Sequence, residues 1–90
     1  MPEIRLDVPQ YEPSRGVRLV WDDEAQIVVS LDGDETVTIS ANVAGLRTLA
    51  RHLLTLAQDG VSAGSHIHLD GYSGLEEESV SLIVERSAVD

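Results

Sequence analysis

Ninety residues with sixteen acids against six arginines and a formal charge of −10 suit one small core and repel phosphate backbones and anionic membranes. The absence of cysteine excludes disulfides, thiolate metal sites and thiol nucleophiles, and no apolar run approaches the roughly 18–20 residues that span a bilayer. The opening MPEIRLDVPQ lacks the basic start and apolar stretch of a secretory signal, so a single cytoplasmic domain over residues 1–90 is expected.

Residues 3–8 alternate Ile4, Leu6 and Val8 with charged side chains, the period of a first strand. Pro9 and Pro13 bracket a loop, and residues 17–21 read as a second strand. The acidic turn DDEA at 22–25 joins it to a third, residues 26–31. DGDE at 32–35 carries an Asp-Gly pair whose glycine is expected to supply the positive φ of a tight turn. Residues 36–41, alternating and β-branched, form a fourth strand and complete an antiparallel meander.

Asn42 is placed to cap a helix running to about Gln58. Val43, Leu46, Leu49, Ala50, Leu53, Leu56 and Ala57 recur at helical spacing and are expected to face the core. Arg47, Thr48, Arg51, Thr55 and Gln58 fall on the opposite face, with His52 and Leu54 at the borders. Gly45 costs roughly 1 kcal/mol against alanine within the first turn, and Gly60 is a natural stop. A fifth strand follows at 65–70, then the acidic connection GYSGLEEES, then a sixth strand at 80–86 with Val80, Leu82 and Val84 inward.

The expected fold is therefore α+β in two layers: a mostly antiparallel sheet of about six strands with one amphipathic helix on one face. If the fourth and fifth strands share that sheet, a right-handed crossover makes them parallel. The turn at 22–25 and the loop at 71–78 then meet at one end, gathering Asp22, Asp23, Glu24, Asp70, Glu76, Glu77 and Glu78, with the DGDE turn at the other. Trp21 and Tyr72 border these acids, an arrangement suited to anchoring a protein partner, although Trp21 could equally cap an aliphatic core.

The stretch GSHIHLD suggests chemistry. His66, His68 and Asp70 project from one strand face about 7 Å apart and are of the residue types that bind zinc or iron. Ile67 and Leu69 are better suited to the helix-packed face, which turns the two histidines outward and leaves His52 beyond their reach. There is no Gly-x-Ser-x-Gly elbow, no phosphate-cradling loop and no calcium-loop spacing in LDGDE. Two readings stay open: an acidic, non-enzymatic binding protein without cofactors, and a small metal-binding protein or metal-dependent enzyme centred on the HxHxD strand.

The run ISANVAGLRTLARHLLTLAQDG, followed by GSHIHLD and LEEESVSLIVER, resembles the thirty-second family of bacterial toxin-immunity proteins. The matching positions are Asn42, Gly45, Leu46, Leu49, Ala50, Leu53, Leu54, Leu56 and Ala57 on the helix. Gly64, His66, His68, Leu69 and Asp70 match on the following strand, and Ser79, Leu82, Ile83 and Val84 at the close. The resemblance covers roughly residues 38 to 87. It implies an α+β protein that binds and neutralises a cognate protein toxin encoded beside it. The acidic composition independently suits a basic, nuclease-type toxin, with carboxylates standing in for substrate phosphates. The sequence leaves the oligomeric state open, because an exposed sheet edge could pair two copies.

Overall fold

Four strands and one helix make up the regular structure of residues 2–88, the part of the chain that the computed structural model describes. β1 (Ile27–Leu31) and β2 (Val37–Ala41) form an antiparallel hairpin, with Leu31 opposite Val37 and Ile27 opposite Ala41. α1 (Val43–Leu56) follows, capped by Asn42, whose side chain accepts from Gly45 N at 2.8 Å. β3 (His66–Leu69) and β4 (Leu82–Glu85) make a second antiparallel pair, with His68 opposite Ile83. Between them residues 76–80 lie along the outer edge of β1. Glu76 N donates to Ile27 O and Val80 N to Val29 O, both at 2.8 Å, and Val29 N donates to Ser79 Oγ at 3.0 Å.

The core is aliphatic. Ile27 and Val29 from β1, Ile67 and Leu69 from β3, and Leu56 and Leu75 are buried together. Val17, Leu19, Trp21, Ala41, Leu49, Leu82 and Val84 pack around them. Each fully buried aliphatic side chain contributes roughly 1.5–3 kcal/mol, so this cluster outweighs any single polar contact in the fold.

The α+β class holds, but the six-strand sheet becomes four strands in two separate pairs, so the parallel neighbours expected across the helix do not exist. Residues 3–8 and 17–21 form no ladder; a single bridge, Glu12 to Gly16, closes their turn. Side chains of α1 and the residues just after it take over the backbone groups. Arg51 Nε donates to Asp7 O at 2.9 Å, Gln58 Nε2 to Pro9 O at 2.8 Å, and Tyr11 N donates to Gln58 Oε1 at 2.9 Å. Val80 is exposed rather than inward, because residues 76–80 pair with β1 before the chain turns into β4. In the DGDE turn the positive φ falls on Glu35 (68°) and not on Gly33.

The largest correction concerns α1. The face turned inward carries Gly45, Thr48, His52, Thr55 and Leu56, whereas Val43, Leu46 and Leu53 are more than half exposed and Leu54 is nearly so. Gly45 sets this rotation. A Cβ there would lie 2.5 Å from Gln26 O, 2.9 Å from Ile27 Cγ1 and 3.0 Å from Ala41 Cβ, so only glycine lets the helix sit on the hairpin base. Thr48, His52 and Thr55 then follow inward at helical spacing. Thr55 Oγ1 donates to Arg51 O at 2.7 Å, and Thr48 bonds to the 22–25 turn.

Candidate partner-binding site

The two acidic loops lie side by side. Asn42 ties the 22–25 turn to the helix start: its Nδ2 donates to Glu24 O at 2.9 Å, and its Oδ1 accepts from Gln26 N at 3.0 Å. The bond from Glu76 N to Ile27 O lays the 76–78 run against the residues that leave this turn. Glu76 and Glu78 line a shallow cleft of about 260 Å³ together with Gln26 and Asn42. On the other side the Trp21 ring covers Gly74, where a Cβ would collide with the indole, so the 70–75 loop passes directly over it.

The acids in these loops do different work. Asp22 is tied into the fold by Arg51 Nη1 and by Thr48 Oγ1, which donates at 3.2 Å and accepts from Asp22 N at 2.9 Å. The Arg51 bond holds its carboxyl below the usual range, against the opposing effect of desolvation. Asp70 is also occupied. Its Oδ1 accepts from Tyr72 N and Ser73 Oγ, both at 2.9 Å, and these bonds, Tyr72 N first, lower its pKa. Asp23, Glu24, Glu77 and Glu78 remain exposed, and Glu76 is half-buried. Of the two aromatics, Tyr72 is 100% exposed, whereas Trp21 is half-buried against the core.

Ile67 and Leu69 are buried and His66 and His68 exposed, as the alternation of GSHIHLD requires. His66 Nδ1 lies 3.2 Å from Gly64 O, and His68 Nε2 lies 3.8 Å from Asp70 Oδ2. Among the described residues no three His, Cys, Asp or Glu converge as a metal ion would require. No helix among them is long and apolar enough to cross a membrane.

His52 is the residue that sequence reading misplaced. It is 0% exposed, and neither ring nitrogen has a hydrogen-bond partner. Its ring meets Trp21 edge-on, with centroids 4.8 Å apart and planes at 77°. Burial holds its pKa below the ordinary histidine value, the Arg51 cation adds in the same direction, and the Asp22 carboxylate opposes both. His52 thus lies directly beneath the aromatic that separates the two acidic loops. The spacing of Gly45, Thr48, His52 and Thr55 was the available signal, a narrow stripe of small and polar residues suited to close helix packing.

Residues 36–87 match the protein-family model described as Immunity protein 32. This span takes in β2, α1, β3, β4 and the 70–78 loop, but not β1 or the 22–25 turn. No curated protein and no solved structure matches the chain.

Proposed function

The chain belongs to the immunity protein 32 family, and from that membership we propose that it binds and neutralises a cognate protein toxin encoded beside it. The reading is of a non-enzymatic protein acting in the cytoplasm. The contact surface is the pair of acidic loops: Asp23, Glu24, Glu76, Glu77 and Glu78 supply free charge, and Tyr72 supplies an exposed aromatic anchor. Trp21, Asp22 and Asp70 hold the two loops in place beneath it. The observation that carries this reading is the adjacency of loops far apart in sequence, fixed through Glu76 N to Ile27 O and Asn42 to Glu24.

A concave partner face rich in Lys and Arg, such as a nuclease groove shaped for phosphates, is the complementary chemistry. The carboxylates then occupy positions that substrate phosphates would take.

Co-expression tests this directly. A strain producing the adjacent toxin domain should grow when this protein is supplied. Growth should fail with a Glu76→Lys/Glu77→Lys/Glu78→Lys variant that keeps its circular dichroism spectrum. Equal rescue by the variant would move the contact surface away from the acidic loops, and no rescue by the unaltered protein would overturn the immunity reading.

A further inference from the structure

We propose that the free edge of β2 pairs with the same edge of a second copy, across a two-fold axis at Ile39, giving a four-stranded sheet. This assembly goes beyond the proposed toxin binding.

The two edges of the β1–β2 hairpin are treated differently. The outer edge of β1 is covered by residues 76–80, which take Ile27 O, Val29 O and Val29 N. The outer edge of β2 has no such cover. Asp32 N bonds to Thr36 O and Asn42 N to Gln26 O, so in the antiparallel alternation Thr38 and Ser40 bond toward β1. The N–H and C=O groups of Val37, Ile39 and Ala41 therefore point outward, and no described residue bonds to them. A two-fold at Ile39 sets Ile39 against its own copy and Val37 against Ala41 of the second chain. Every outward group then gains a partner.

Edge strands of monomers are commonly guarded by Lys, Pro, a bulge or a covering loop. The strand VTISA has no charge and no proline, and its pairing with β1 is unbroken over Val37–Ala41. Leu31 and Val37, paired at the hairpin tip, are both 57% exposed.

Charge selects a second copy as the occupant. No Asp or Glu occurs between Glu35 and Asp59, so β2 and α1 form the one long acid-free stretch of a chain of charge −10. The strand itself adds no carboxylate to the contact, and Glu76 and Glu78 stand beside its Ser40 and Ala41 end. The antiparallel register also sets the acidic 32–35 turn of one copy beside the α1 N-terminus of the other. That helix has no acid in its first turn to offset its partial positive charge, and the exposed Arg47 lies one turn further on. A five-residue edge is at the small end of interface sizes, so dissociation constants on the order of 10–100 µM are expected.

Sedimentation equilibrium over about 5–500 µM, bracketing that range, tests the assembly. The wild-type protein should shift from one to two chain masses. Ile39→Pro, which removes an outward donor and leaves the β1 bonds in place, should weaken association at least tenfold. Ile39→Lys, which keeps the backbone intact, should do the same and serves if the proline variant is unfolded. Ile83→Lys on the other strand pair should leave association unchanged. A wild-type protein monomeric throughout, or a dimer indifferent to Ile39→Lys, overturns the proposal. Neither outcome bears on growth rescue by the unaltered protein.

Discussion

His52 shows how a single residue escapes sequence reading and still governs its surroundings. Its neighbours in sequence suggest a border position, and only the rotation imposed by Gly45 takes it to 0% exposure against Trp21. Its pKa is lowered in the folded state, so folding favours the neutral ring. The corresponding stability is complete above the ordinary histidine value of 6.5 and is lost as pH falls below it toward the depressed folded value. Trp21 is the only tryptophan and touches His52, so its fluorescence reports this site. Urea unfolding followed by that emission should show lower stability at pH 5.5 than at pH 7.5. His52→Leu should flatten the difference; equal pH dependence in the variant would assign it to other groups. By contrast, the outward His66 and His68 and inward Ile67 and Leu69 were legible, because a strand's two-residue period leaves only two faces.

At the scale of elements, pattern reading found where the chain folds and misjudged what it folds against. The hairpin, the helix with its Asn42 cap and the two later strands fall within a residue or two of their expected places. The helix face was misread because apolar residues outnumber the inward stripe, yet close approach at Gly45 decides the packing. Gly45→Ala weighs these two effects against each other. Helix propensity favours alanine by roughly 1 kcal/mol, whereas forcing a methyl against Gln26 O and Ile27 costs about 1–3 kcal/mol. Gly45→Ala should therefore lower the melting temperature by several degrees, and a rise would mean that the helix does not rest on the hairpin base. Residues 3–8 and 17–21 carry strand patterns yet form no ladder; the first segment and the loop after it are held instead by Arg51, which takes Asp7 O, and by Gln58, which binds Pro9 O and Tyr11 N. Nothing local to those segments reveals partners more than forty residues away from the first of them.

Across the whole molecule, charge divides the surface. The acid-free stretch from residue 36 to 58 builds β2 and α1, while the 22–25 and 70–78 loops concentrate carboxylates at one place. Chain direction within a single six-stranded sheet predicts that grouping, but that sheet does not form. The grouping survives because Glu76 and Asn42 fix the loops through β1 and the helix cap. The structural role of Asp22 was not legible, since it depends on Arg51 and Thr48 arriving from the helix, whereas Asp70 is occupied by its own near neighbours Tyr72 and Ser73.

The central claim is that the free carboxylates draw and hold a basic toxin. Its most direct measurement is the association rate of this protein with the purified toxin domain proposed as its partner, at about 50 and 500 mM salt. Association should be at least tenfold slower at high salt, with most of that dependence gone in the Glu76→Lys/Glu77→Lys/Glu78→Lys variant. An association rate that ignores salt, or a variant that binds as fast as the unaltered protein, would contradict it.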